Sequence, residues 1–242
     1  MTKDGYRVSD RRGSTDAYTR QDDMVGQLLS RLEQLGVADN TLVIFASDNG
    51  PEVHAVANMR NNHDHDGARP WRDMKRDQWE GGHRPPLIAY WPNKIKAGSI
   101  SDQLISLTDN MATCGALAGA DLPKDAAEDS FNMLPVLLGQ QGDEPVRTHL
   151  LTQTQTLALS IREGDWKYLD HPGSGGNNYN RPDLLPYVVE ELAPDAHGQL
   201  YHLKKDPGET KNLYHQNPKI VKRMKSKLDQ FVTSGRSAHV GR

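Results

Sequence analysis

Asp48 and Asn49 place a carboxylate and a side-chain amide oxygen side by side, two hard oxygen donors of the kind that bind Ca²⁺ or Mg²⁺. They stand in Ser47-Asp48-Asn49-Gly50-Pro51-Glu52, directly after the apolar run TLVIFA (residues 41–46). The C-terminal end of such a strand is where ligand sites of open α/β sheets gather. A divalent cation takes about six oxygens, so these two residues can form only part of a metal site. Asp-Asn-Gly is also ordinary turn chemistry, and the tripeptide alone reads better as an Asx turn. A second polar segment, GARPWRDMKRDQWEGGHRPP (67–86), carries Lys75 among several arginines, and by itself that lysine reads as a solvated loop residue.

These residues need elements to hold them. Residues 17–35 set Val25, Leu28, Leu29, Leu32 and Leu35 at helical spacing, with Gly36 where a left-handed cap belongs. TLVIFA follows as a short, β-rich run, the pattern of a strand buried on both faces of a helix-covered parallel sheet. Residues 47–82 are polar and lack periodicity, a long loop of the functional kind. PLIAYW (86–91) reads as a second buried strand. Residues 104–118 and 130–138 read as helical, and the Gln-, Gly-, Asp- and Pro-rich run 139–145 suggests a boundary. Beyond it, 148–153, 157–162, 166–169 and 199–203 read as short strands of an antiparallel sheet. A last helix opens with Asn217 as cap and Pro218 at its first position, and puts Ile220, Val221, Met224, Leu228 and Phe231 on one face. The Gly- and Asn-rich run 172–182 between these strands reads as a mobile loop.

The order of these segments is informative. SDNG, then R-x-x-K-x-x-x-W-E-G-G-x-R-x-P, then a strand ending in Trp91-Pro92 resembles the C-terminal half of the sulfatase catalytic domain, in the alkaline-phosphatase-like superfamily. The resemblance continues through LTD (107–109), Ala118-Gly119, EDS (128–130), IREGDWK (161–167) and LYHLKKDPGETKNL (200–213), and covers most of residues 17–233. It implies an α/β fold: residues 1–145 as the C-terminal part of a helix-sandwiched catalytic sheet, and 146–242 as a subdomain of antiparallel sheet and terminal helix. It also implies roles. Asp48 and Asn49 become part of a calcium site, and Lys75 becomes the sulfate-binding, catalytic cation. An ammonium beside a sulfate ester stabilises the negative charge that develops as the S–O bond breaks. Glu80 and Arg84 are expected to pair, and Gly81 and Gly82 to permit close backbone approach. Trp71 and Trp79 read as packing residues. His63, His65 and Asp66 read as a solvent-facing segment or a pocket rim, because imidazole does not suit calcium.

The departures from the family are equally plain. Its formylglycine nucleophile is made within C/S-x-P-S-R, and no such motif occurs in these residues. Cys114, in Ala-Thr-Cys-Gly-Ala-Leu, lacks the Pro and Arg and reads as a small buried residue on a helix. The upstream aspartates, histidine and lysine of the sulfate pocket are missing as well. The expectation is therefore a sulfate-ester hydrolase of arylsulfatase type, present as a truncated chain that is inactive alone and whose partner is the missing N-terminal half. A non-catalytic fragment, or a phosphonate or phosphodiester hydrolase of the same superfamily, remains open.

Composition limits the partners. In 242 residues, 32 acidic side chains against 29 basic ones leave a net charge of -3, too weak a field for nucleic acid or an anionic membrane. No run approaches the roughly 20 apolar residues of a membrane span. The family is commonly exported, yet MTKDGYRVSDRRGSTD has no apolar signal core, so the compartment stays open. The ligand class implied is a sulfate ester, either a small molecule or a sulfated carbohydrate.

Overall fold

The structure is a computed structural model that describes residues 14–238, with side chains from residue 21 onward. Most of the segment read for a signal peptide lies outside the described residues. The chain forms two units, one spanning Met1–Ile44 and Ala89–Ser99, the other Phe45–Ile88 and Ile100–Arg242.

The first unit is built on helix α1 (Ser14–Gln34). Gly36 ends it at φ +68°, and the Val37 N–H closes on the Leu32 carbonyl, the left-handed cap expected from the sequence. The helical stripe is only half covered: Val25, Leu29 and Leu32 are half-buried, while Leu28 and Leu35 are exposed. Trp91 Nε1 donates to the Asp39 carbonyl at 3.0 Å and ties the 89–99 segment to the turn after α1.

Strand β1 (Val43–Ala46) leads from the first unit into the second and neighbours β2 (Leu87–Tyr90) in a two-stranded sheet. The burial expected of both strands is not found. No β1 residue is fully buried, and Ile88 and Tyr90 stand 60% and 46% exposed. Among the described residues each strand has one neighbour, so apolar faces patterned for a wider covered sheet stay open.

In the second unit, β1 is followed by helix α2 (Val53–His63), which the sequence reading missed. Its buried side is marked only by Val53 and Val56, in a run otherwise rich in Asn and His. Capping compensates: the Glu52 side chain accepts the Val53 N–H, and Asp64 ends the helix in the left-handed region. Next come the short helix α3 (Glu80–His83), α4 (Asn110–Ala118) and the single turn α5 (Leu134–Leu137), all that forms of the helix expected over 130–138. Cys114 lies on α4 but is exposed, which corrects its reading as buried.

Strands β3 (His149–Gln153), β4 (Leu159–Glu163), β5 (Trp166–Leu169) and β6 (Gln199–His202) form an antiparallel meander in that order, with Ile161 opposite Tyr168 and Tyr168 opposite Leu200. Side chains alternate across a strand, so Ile161, Tyr168 and Leu200 face one way and Ser160, Lys167, Leu169 and Tyr201 the other. The first face packs on helix α6 (Pro218–Ser234) through Val221, Met224 and Leu228. Asn217 occupies the cap position, but its amide donates to the Leu213 carbonyl instead of accepting a helix N–H. The second face receives the 72–80 segment, with Trp79 packed among Leu169, Tyr201 and Leu203. Among the described residues no helix is long and apolar enough to cross a membrane.

Candidate functional site

Asp48, Asn49 and Lys75 all belong to the second unit. Asp48 is exposed and Asn49 half-buried just past the end of β1, in a turn where the Ser47 hydroxyl donates to the Asn49 carbonyl. Gly50 locks that turn to the Trp79-Glu80-Gly81-Gly82 segment. Its N–H donates to the Gly82 carbonyl at 2.9 Å, and a Cβ on Gly50 would lie 1.8 Å from the Gly81 oxygen. Contact this close requires glycine. One residue further on, the Pro51 carbonyl accepts the Lys75 N–H at 3.0 Å. The two chemical segments read in the sequence are thus joined backbone to backbone.

Lys75 projects from a sharp turn. Asp73 and Arg76 on either side have φ +60° and +82°, a region that non-glycine residues occupy only when their surroundings enforce it. The enforcement is visible. Asp77 accepts the Met74 N–H through Oδ2 and the Tyr179 hydroxyl at 2.7 Å. The Asn177 amide donates to the Lys75 carbonyl at 2.8 Å, and Gln78 N–H donates to the Ser174 carbonyl at 2.7 Å. A Cβ on Gly176 would meet the Arg76 oxygen at 1.9 Å. Residues 172–182, expected as a mobile loop, are therefore a fitted support for the Lys75 turn.

Burial pushes the Asp73 carboxyl up to about 6, against the pull of Arg72 and with a further push from Asp77. Burial also raises Asp77. Toward solvent the charges are paired. Glu52 takes Arg76 with two contacts of 2.7 and 3.0 Å, and its second oxygen lies 3.9 Å from the Lys75 ammonium. The Arg76 hydrogen bonds hold Glu52 below the usual carboxylate range.

Behind the turn lies a buried ion cluster that sequence reasoning did not assemble. Lys167, 2% exposed, sits 3.0 Å from Glu80 and 3.1 Å from Glu209. Glu80 also pairs with Arg84 at 2.5 Å, as expected, and with Arg162. Glu209 accepts the Glu80 N–H, and its carbonyl accepts from Arg72, whose guanidinium stacks on Trp79 at 3.5 Å. A lysine within the strand Trp-Lys-Tyr-Leu was the available signal, because alternation turns position 167 toward this face.

Other candidates are spent elsewhere. Asp66 pairs with Arg60 and caps the Ala68 and Arg69 amides, while His63 and His65 face solvent. Among the described residues no group of three or more His, Cys, Asp or Glu side chains gathers to hold a metal. A cavity of ≈ 360 Å³ lies beside Trp79 and Gln199. Its buried polar wall is satisfied internally: Gln199 donates to the His171 and Gly173 carbonyls and accepts from Trp79 and Tyr201.

The Sulfatase family model matches residues 4–120, the stretch that holds the joined turns. An N-acetylgalactosamine-6-O-sulfatase of Bacteroides thetaiotaomicron is 33% identical over 223 residues, which cover 90% of this chain and 41% of that protein. The chain belongs to the sulfatase family. The human N-acetylgalactosamine-6-sulfatase is 40% identical over 212 residues, covering 80% of this chain and 37% of its own length. A solved structure from the metabolism of multiple glycosaminoglycans by Bacteroides thetaiotaomicron superposes with TM-score 0.75 at 32% identity, covering 90% of this chain and 44% of that one. The chain thus spans about two fifths of the length of these sulfatases.

Proposed function

We propose that these residues form the sulfate-orienting part of a sulfuric ester hydrolase whose substrate is a sulfated carbohydrate. The observation that carries the reading is the joining of the two turns. Pro51 and Gly50 hold Lys75 and the Gly81-Gly82 backbone against the segment that bears Asp48 and Asn49. The carbohydrate class is taken from the N-acetylgalactosamine sulfatases it resembles.

In this reading Lys75 contacts a sulfuryl oxygen and stabilises the charge that gathers on the leaving group. Asp48 and Asn49 would hold calcium. The donor types fit a hard cation, and the Asp48 carboxylate is exposed where Glu52 and Asp66 are committed to arginines, though two donors fall short of the six or so required. When bound, calcium would supply Lewis-acid polarisation of the sulfate. The formylglycine nucleophile implied by the family has no C/S-x-P-S-R here, and no described residue is assigned to it.

The purified 242 residues are accordingly expected to leave a chromogenic aryl sulfate intact, because orienting the ester without a nucleophile forfeits the covalent route. Turnover abolished by Lys75→Ala would place the nucleophile within these residues and overturn the assignment.

A further inference from the structure

A sulfate ester and a phosphate monoester have nearly the same shape and differ in charge. The sulfate carries one negative charge, whereas the phosphate carries close to two above its second pKa of about 6. A site that discriminates between them must therefore count charge. The solvent-facing groups around Lys75 permit such a count. Arg76 and Lys75 supply two cations, and Glu52 sets one carboxylate against both, at 2.7 and 3.0 Å from the Arg76 nitrogens and 3.9 Å from the Lys75 nitrogen. The two contacts differ in kind. The Arg76 pair is bidentate and close, so that guanidinium is committed to Glu52. The Lys75 contact is long, so the ammonium can turn to an incoming anion. The remaining acid near Arg76, Asp77, is fully buried and occupied by Tyr179 and the Met74 amide.

We propose that Glu52 is a specificity-determining residue: by holding Arg76 and partly neutralising Lys75 it lowers by one unit the positive charge that meets an incoming anion, which favours a monoanionic sulfate ester over a phosphate dianion. The inference rests on the assignment of Lys75 as the sulfate cation. It adds a role for the carboxylate that caps α2, which a purely structural account treats as a helix cap.

The test titrates the 242-residue protein with methyl sulfate and with methyl phosphate at pH 8, following backbone amide NMR shifts at Gly50, Lys75 and Arg76. Glu52→Gln keeps an oxygen able to cap Val53 but removes the charge. It is expected to lower the ratio of the methyl phosphate to the methyl sulfate dissociation constant roughly fivefold, the worth of about 1 kcal/mol for one unit charge at 4 Å in a water-like medium. Glu52→Asp keeps the charge and is expected to keep the ratio within about twofold. A structural defect would weaken both anions together and leave the ratio in place. An unchanged ratio in Glu52→Gln, or the same fall in Glu52→Asp, overturns the inference. Lys75→Ala separates the two levels: weakened binding of both anions supports the lysine assignment whatever Glu52 does. Unaltered binding in Lys75→Ala, or a wild-type protein whose amides respond to neither anion, overturns that assignment and this inference with it.

Discussion

Gly81→Ala is expected to destabilise the protein by more than about 4 kcal/mol, beyond the usual range for a point substitution. The added Cβ would lie 2.2 Å from the Asp73 oxygen and 2.4 Å from the Arg72 oxygen, and the Gly81 N–H is at the same time bonded to Arg72 at 2.8 Å. Both obstacles are backbone, so no side chain can swing aside, and relief requires parting the turn that presents Lys75 from α3. Ordinary overpacking costs 1–3 kcal/mol because neighbours adjust, and here they cannot. Gly26→Ala makes a useful contrast. It adds a methyl within α1 where nothing lies within 4 Å, and should stabilise that helix by up to about 1 kcal/mol. Urea unfolding of the two variants checks both signs, and a Gly81→Ala protein with wild-type stability would show that the Arg72-Asp73 backbone is not packed against α3.

Lys167→Met is expected to cost about 3–5 kcal/mol at pH 7, the penalty for leaving a buried carboxylate without its cation. Glu209 is 0% exposed, and burial pushes its carboxyl up, with Lys167 the main counterweight; Glu80 keeps Arg84 and Arg162 after the substitution. The pH dependence carries a sign. Without Lys167 the folded-state pKa of Glu209 rises further above its unfolded value, so the folded protein binds the extra proton more tightly. Stability of the variant is then recovered as pH falls toward 5 and is lost again as pH rises through the folded pKa. Denaturant midpoints measured at pH 5 and pH 7 should bring the variant closer to wild type at the lower value. A deficit that stays constant, or grows at pH 5, would mean that the loss is one of packing. The consequence reaches the site, because Glu209 holds both the Glu80 amide and Arg72, and so anchors the two ends of the segment that carries Lys75.

What could be read in advance follows from how each signal is written in the chain. The meander and α6 were legible because period 2 and period 3.6 run cleanly through Trp166–Leu169 and from Ile220 to Leu228, and packing of one on the other then follows. Helix α2 was not, since Glu52 and Asp64 specify its ends while only Val53 and Val56 mark its buried side. Residues 172–182 were misjudged because Gly and Asn are the residues of flexible linkers and equally of tight, fitted turns. Only tertiary contact shows that Gly176 is there to clear the Arg76 carbonyl. The strands β1 and β2 were recognised as strands, but their burial depends on neighbours that no local pattern can supply. For the site, residue type and order were enough to single out the two segments that carry Asp48, Asn49 and Lys75, whereas Glu52 and Lys167 act through partners 24 and 42 or more positions away, and such pairings are not local in sequence.

The most direct test of the central claim is where a sulfate-like anion settles. Selenate has the shape and charge of sulfate, and selenium scatters anomalously. Crystals of the 242-residue protein soaked in selenate should show an anomalous peak with an oxygen in hydrogen-bond reach of the Lys75 ammonium, on the side of the Asp48-Asn49 turn, and the peak should vanish in Lys75→Ala. A peak that persists in Lys75→Ala, or selenate bound only away from these residues, would contradict the account.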